Sequence, residues 1–208
     1  MARPSLTKRR LVGLDRSGPP PPRTLRGEPL NPWTIPNLIG FTRLALVPIF
    51  LGLALASGDG RIASATIVYA VVAGSDYLDG IAARVTGQYS RLGTLIDPLT
   101  DRLLVVSGVI VTYRFELLPR WALLAIAARE LFMLGLTQFA LRRGRDIQIN
   151  ILGRWAVWPT MSSIFLAMIV STPVADALLY LGLAMSVGAT ALYLRDGMRS
   201  LRSPSTSA

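Results

Sequence analysis

Long apolar runs alternate with short polar and charged stretches along most of this chain. Beyond residue 33, six apolar segments are long enough to cross a bilayer, because a membrane-spanning helix needs about 20 residues. These segments cover residues 35–56, 62–78, 92–113, 121–141, 154–170 and 174–194. The pattern predicts an all-α integral membrane protein with six transmembrane helices.

Composition supports the membrane prediction and narrows the available chemistry. Hydrophobic residues make up 51% of the 208-residue chain, which contains no cysteine and no histidine. Disulfides, thiolate nucleophiles and imidazole acid–base catalysis are therefore excluded. Carboxylates, hydroxyls, arginines or a hard metal ion would have to carry any reaction.

The basic residues predict the orientation in the membrane. With six spans, both tails and the loops after the second and fourth spans lie on one side, and they hold sixteen of the 22 lysines and arginines. The opposite loops hold only Arg61, Arg114 and Arg120. By the positive-inside rule, we expect the N and C termini to be cytoplasmic. The expected location is the cell (inner) membrane, which the chain would cross several times.

Three regions follow from these patterns. Residues 1–33 contain seven basic residues and four consecutive prolines at 19–22, and they predict a disordered cytoplasmic tail. That tail either aids solubility and topology or contacts anionic headgroups. Residues 34–197 form the six-helix domain, and residues 198–208 form a polar C-terminal tail.

Four aspartates stand out against the apolar background. Asp76 and Asp79 close the second segment, whereas Asp97 and Asp101 lie one to two turns into the third. Residues three or four apart share a helix face. Two neighbouring helices can therefore direct two carboxylates each at one place near the cytoplasmic surface.

Such a cluster needs a counter-charge. At separations of about 6 Å and an effective dielectric of about 20, each pair of carboxylates repels by roughly 2.8 kcal/mol. All-oxygen ligation selects hard divalent ions such as Mg²⁺ or Mn²⁺, and two of them would balance four aspartates. The alternative is structural pairing with Arg84, Arg91 or Arg102, but ionisable residues inside spans favour a metal or ion site.

The spacing of these residues resembles a known family. From Asp76 to Asp101 the chain reads DYLDGIAARVTGQYSRLGTLIDPLTD, which matches DxxDGxxARx₈GxxxDxxxD at all eight fixed positions. That pattern is the signature of the CDP-alcohol phosphotransferases. The stretches TIPNLIGFTRL, DPLTDRLL and AARELF are most similar to the bacterial phosphatidylglycerophosphate synthases within this family.

The resemblance implies a reaction and a set of site residues. Family members transfer a phosphatidyl or similar group from a CDP-linked donor to an alcohol and release CMP. Two divalent ions, Mg²⁺ or Mn²⁺, would be held by Asp76, Asp79, Asp97 and Asp101, and Asp101 would also act as the catalytic base. Family members are commonly homodimers, so the resemblance also implies a homodimer that binds CDP-diacylglycerol in the membrane. No feature of the sequence suggests a nucleic-acid partner.

The resemblance also implies residues for the donor nucleotide. Gly80 and Ala83 would let the nucleotide approach the helix backbone, and Arg84 would pair with a diphosphate oxygen. Further candidates for this side of the site are Pro36, Asn37, Ser90 and Gly93. For these residues, helix capping and packing are the alternative roles.

The acceptor is predicted from basic residues. Glycerol 3-phosphate, the acceptor of the phosphatidylglycerophosphate synthases, requires a basic pocket, for which the candidates are Arg43, Arg129, Arg142 and Arg154. Alternatively, Arg129 pairs with Glu130, and the loop arginines only set the topology. The stretch LGRWAVWPTM departs from the GKxKT-like run of those synthases, because Arg154 replaces the first lysine and nothing replaces the second.

Other functions stay open at this point. A cardiolipin synthase, with phosphatidylglycerol as acceptor, would share the aspartates and need fewer phosphate contacts, and an inositol phosphate is a third acceptor. An ion-coupled transporter would predict an inverted repeat with broken helices near the midplane. The sequence shows no convincing internal repeat.

Overall fold

The regular secondary structure of the described residues is helical. A computed structural model describes residues 33–86, 90, 92–142 and 151–202, and in these ranges it contains six α-helices and no strand. They are α1 Ile35–Ala56, α2 Ala63–Thr86, α3 Gly93–Arg114, α4 Arg120–Arg142, α5 Ile151–Ile169 and α6 Pro173–Arg202. The predicted all-α class is confirmed, whereas the predicted tail at 1–33 lies outside the described residues except for Trp33.

Two helices run further than hydropathy predicts. α2 continues to Thr86 instead of ending at residue 78, so Asp76 and Asp79 lie inside a helix. α6 continues to Arg202, and residues 198–202 of the predicted C-terminal tail are therefore helical.

Length and apolar composition identify candidate membrane spans among the described residues. By length and composition alone, two of the described helices could span a bilayer, namely Ile35–Ala56 and the Pro173–Tyr193 part of α6. In α2 and α5 the apolar stretches are shorter, Ala63–Asp76 and Trp155–Ile169. In α2 and α3 the aspartates interrupt the apolar run.

The chain divides into two units, and the first contains the candidate site. It comprises Met1–Ala56 and Ile62–Ser107, so its described helices are α1, α2 and the first part of α3. One buried stripe runs along α1, with members three or four residues apart: Asn37, Gly40, Arg43, Val47, Phe50 and Ala54. Phe50 packs edge-on against Tyr69 of α2, with ring centroids 5.2 Å apart.

The first turn of α1 is capped. Thr34 precedes the helix, and its Oγ1 accepts a hydrogen bond of 3.3 Å from the Asn37 amide. Pro36 lies in this first turn, where an amide proton has no helical partner to lose. The capped turn therefore fixes the start of the helix at the residues predicted to contact the nucleotide.

The second unit comprises Ser57–Arg61 and Gly108–Ala208. α5 and α6 approach each other closely at Gly182, because a Cβ atom there would lie 3.0 Å from the Thr160 amide nitrogen. α3 ends in a Schellman motif, in which the Leu117 amide donates to the Thr112 carbonyl over 2.9 Å and Glu116 adopts a φ of 55°.

Candidate active site

Carboxylates from two helices meet at one arginine. Arg43 of α1 donates from Nη1 to Asp76 Oδ1 of α2 over 3.2 Å and from Nη2 to Asp101 Oδ1 of α3 over 2.9 Å. Its Nε donates to the Val72 carbonyl of α2 over 3.3 Å. One guanidinium thus links three helices and brings the second and third helices' aspartates to the same place.

Burial is uneven across this ion-paired group. The Arg43 side chain is 1% exposed, whereas those of Asp76 and Asp101 are 46% and 34% exposed. A charged side chain is almost never fully buried unless it is paired. The arginine therefore forms the buried floor of the site, and the two carboxylates keep an open side.

Asp97 approaches the same face of α1. A Cβ atom at Gly40 would lie 3.8 Å from Asp97 Oδ1 and 3.2 Å from the Ile96 Cγ2 methyl. Gly40 therefore lets α1 lie close against α3 at this level. Three of the four predicted metal-ligand aspartates have described side chains, and these three lie beside the Asn37–Gly40–Arg43 face of α1.

A second polar cluster joins the candidate nucleotide residues. Ser90 Oγ donates to Asn37 Oδ1 over 2.6 Å and accepts from the Gly93 amide over 2.9 Å. The Ser90 hydroxyl therefore accepts from the amide of the first residue of α3, whereas Leu92, whose carbonyl accepts from the Ile96 amide, holds the N-cap position. A Cβ atom at Gly93 would lie 2.8 Å from Asn37 Oδ1, so this position has no room for a side chain.

For several predicted site residues the structure does not describe the side chain. Asp79, Gly80, Ala83 and Arg84 belong to α2, Arg142 ends α4 and Arg154 belongs to α5, but only their helical backbone is described. Within the described side chains, no group of three or more acidic residues could hold a metal ion. The predicted four-aspartate site therefore stays a prediction.

Arg129 has protein partners in the second unit. It donates from Nη1 to Glu130 Oε1 and from Nε to Thr190 Oγ1 of α6, the latter over 3.2 Å. The Glu130 pairing is the one named as the structural alternative to acceptor binding. The acceptor roles of Arg43 and Arg129 stay predictions, although both arginines already engage carboxylates.

Sequence reasoning missed the contribution of α1 to the acidic cluster. It named Arg43 as an acceptor candidate and did not name Gly40. An arginine inside an apolar helix pairs with a carboxylate or with backbone carbonyls, and Asn37, Gly40 and Arg43 are spaced to share one face. These two signals together point to α1 as the third helix of the site.

The chemistry available here is that of oxygen ligands beside a fixed positive charge. Carboxylate oxygens are the preferred ligands of hard divalent ions. Asp76 and Asp101 both accept from the Arg43 guanidinium, and both carboxylates are partly exposed. Mg²⁺ or Mn²⁺ would fit at the exposed side of these carboxylates. A carboxylate here can also accept a proton from a hydroxyl group.

Comparison with known proteins supplies the family. The model of the CDP-alcohol phosphatidyltransferase family matches residues 33–188. The chain is 42% identical over 133 residues to a cardiolipin synthase (CMP-forming) of Streptomyces coelicolor, a match that covers 62% of this chain and 61% of that protein. It is 29% identical over 174 residues to the CDP-diacylglycerol–glycerol-3-phosphate 3-phosphatidyltransferase of Bacillus subtilis, covering 74% of this chain and 90% of the relative. Since the family match extends over more than half of its residues, the chain belongs to the CDP-alcohol phosphatidyltransferase family.

Proposed function

We propose that this protein transfers the phosphatidyl group of CDP-diacylglycerol to glycerol 3-phosphate, giving phosphatidylglycerophosphate and CMP. The observation that carries this proposal is the convergence of Asp76 and Asp101, two fixed positions of the family signature, on the guanidinium of Arg43. Family membership supplies the reaction type. The B. subtilis relative, matched over 90% of its length, supports glycerol 3-phosphate as the acceptor.

The proposed enzyme is a six-span homodimer of the cell membrane, with cytoplasmic termini and a cytoplasmic active site. Helices of 19 to 30 residues are roughly 28 Å long or more, which suits a hydrocarbon core of about 30 Å. Large apolar side chains are exposed on every helix, for example Ile67 of α2, Ile110 of α3 and Leu131 of α4. Apolar surface of this extent supports contact with lipid.

Asp76, Asp79, Asp97 and Asp101 would hold the divalent ions. When bound, these ions would neutralise the charge of the donor diphosphate and of the departing CMP. Arg84 would pair with a diphosphate oxygen. Gly80 and Ala83 would leave room for the nucleotide, and Pro36, Asn37, Ser90 and Gly93 would line its cytidine side.

Asp101 is the proposed base. It would take the proton of the acceptor hydroxyl, and the acceptor oxygen would then form a bond to the phosphorus that carries the diacylglycerol. The bond from that phosphorus to the oxygen bridging the diphosphate would break. CMP would leave with the bonding electrons, so charge and atoms balance.

A cardiolipin synthase is the second candidate function. Its acceptor would be phosphatidylglycerol, and the 42% identity to the S. coelicolor protein favours it. The engagement of Arg43 and Arg129 with carboxylates also favours an acceptor with fewer phosphate contacts. If Arg43 and Arg129 do not contact the acceptor, Arg142 and Arg154 would be the remaining arginines that could bind its phosphate. Their contact with the acceptor would then distinguish the two functions.

An acceptor panel tests the proposal. Purified protein in detergent receives CDP-diacylglycerol and Mg²⁺, together with glycerol 3-phosphate, phosphatidylglycerol or inositol 1-phosphate, and CMP release is measured. Release with glycerol 3-phosphate alone is the expected result. Release with phosphatidylglycerol alone would establish the second candidate, and no release with any of the three would contradict the reaction itself.

A further inference from the structure

The position of Arg43 is unusual for a residue that binds a substrate. Its side chain is 1% exposed, and its guanidinium donates to Oδ1 of both Asp76 and Asp101, while its Nε donates to the Val72 carbonyl. A soluble acceptor would have to reach it past the two half-exposed carboxylates. The geometry does not favour direct contact with an incoming phosphate.

The same geometry suits an orienting role. An ionised carboxylate has two oxygens with about four lone-pair sites, so donation to one oxygen is compatible with ligation of an ion by the same group. The planar guanidinium carries its donors in a rigid fork and is always charged. One arginine can therefore hold two carboxylates from different helices in a fixed relation.

We propose that Arg43 is a positioning residue for the divalent-ion site. It holds Asp76 of α2 and Asp101 of α3 from the buried side, so that their open sides face a common ion. This inference rests on the proposed metal-dependent function. In this role Arg43 supports the two carboxylates and does not contact the acceptor.

Removal of groups that support metal ligands typically weakens metal affinity by about 10–100-fold. We expect Arg43→Met to weaken Mn²⁺ binding by this factor. Arg43→Lys should also weaken it, because one ammonium group cannot reproduce the forked contact with two carboxylates. Raised Mn²⁺ should restore much of the activity of Arg43→Lys, with an acceptor KM within about twofold of the parent protein's at saturating metal.

The experiment measures Mn²⁺ binding by the electron paramagnetic resonance signal of the free ion. The full-length protein, Arg43→Met and Arg43→Lys are compared in the same detergent. The control is Arg61→Met, which removes an arginine that also donates to a helix carbonyl, that of Ala167 over 3.1 Å, but lies in the second unit. Its Mn²⁺ affinity should equal that of the parent protein.

The outcomes separate this inference from the proposed function. Weaker binding by both Arg43 variants, with the control unchanged, supports positioning. Unchanged affinity together with a raised acceptor KM would overturn it in favour of acceptor binding. Tighter Mn²⁺ binding by Arg43→Met would also overturn it, because the arginine would then act only as a competing cation. If the parent protein binds no Mn²⁺, the metal-dependent function itself fails.

If Arg43→Met does not fold, Arg43→Lys carries the test, because it keeps the positive charge. Thermal unfolding without metal checks that each variant is folded. A variant that unfolds like the parent protein but binds Mn²⁺ more weakly has lost metal affinity and not stability. Parent-like Mn²⁺ binding by Arg43→Lys would overturn the claim that the fork positions the two carboxylates.

Discussion

At Gly93, the first residue of α3, neighbouring side chains leave little space for a Cβ atom. A Cβ atom there would lie 2.8 Å from Asn37 Oδ1 and 3.2 Å from Ser90 Oγ. Because both atoms belong to the hydrogen-bonded cap of α3, Gly93→Ala should push Asn37 and Ser90 apart. Overpacking of this kind destabilises by about 1–3 kcal/mol. Thermal unfolding in detergent measures the loss.

The control for Gly93 is Gly74→Ala in α2, where a Cβ atom would meet no described atom within 4 Å. Alanine is the better helix former by up to about 1 kcal/mol, so this variant should be as stable as the parent protein or more stable. Equal unfolding temperatures for the two variants would show that the cap of α3 yields without loss.

Thr100 presents a buried hydroxyl at the level of the aspartates. Its side chain is fully buried, and its Oγ1 has no hydrogen-bond partner in the part of the chain that the structure describes. A buried hydroxyl without a partner is unfavourable, so Thr100→Val should leave stability unchanged or raise it by on the order of 1 kcal/mol.

Thr112→Val is the comparison for Thr100 within the same helix. The Thr112 hydroxyl is equally buried but donates to the Gly108 carbonyl over 2.8 Å. Its removal should lower the free energy of unfolding by roughly 0.5–1.5 kcal/mol. A greater loss in Thr100→Val than in Thr112→Val would reveal a partner for Thr100 and contradict the assignment.

At the residue scale, the sequence predicted that the aspartates lie together, but it did not predict their contacts with α1. The aspartate spacing located Asp76, Asp97 and Asp101 without any structure. The pairing of Arg43 could not be read from α1 alone, because its partners are 33 and 58 residues away in the chain. Only helix packing brings residues so far apart into contact.

At the scale of elements, α5 and α6 depend on a close approach. A Cβ atom at Gly182 would collide with Thr160 Oγ1 and lie 3.0 Å from the Thr160 amide nitrogen. Small residues allow such approaches between helices in membranes. Gly182→Ala should therefore separate the two helices and lower stability by about 1–3 kcal/mol in thermal unfolding.

A second variant and a control sharpen the Gly182 prediction. Thr160→Ala combined with Gly182→Ala should recover only part of the stability, since the backbone contact at 3.0 Å persists. Gly135→Ala in α4, where a Cβ atom would meet nothing within 4 Å among the described residues, should not destabilise. Full recovery in the double variant would show that the hydroxyl alone limits the packing.

Helix number was predictable, and helix ends were less so. Six apolar runs separated by polar residues gave the six helices, because each run is long enough for several turns. Hydropathy ended the second run at residue 78, yet α2 continues to Thr86 through a polar stretch that contains no proline. A helix can continue beyond the end of its apolar residues. A hydropathy window therefore does not predict where such a helix ends.

At the scale of the whole molecule, the predicted topology can be tested with cysteines. The chain has no cysteine of its own, so single substitutions give unique labels. In intact cells, a membrane-impermeant maleimide should label Asp59→Cys in the α1–α2 loop but not Ser207→Cys near the C terminus. Lysis should expose the second site. Labelling of Ser207→Cys in intact cells would contradict cytoplasmic termini.

The central claim is that carboxylates from α2 and α3 share divalent ions at one site. Anomalous diffraction from crystals of the Mn²⁺-loaded protein tests it most directly. The account predicts Mn²⁺ peaks coordinated by oxygens of Asp76 from one helix and of Asp97 or Asp101 from the other. Peaks bound by carboxylates of a single helix, or no peak beside these aspartates at saturating Mn²⁺, would contradict it.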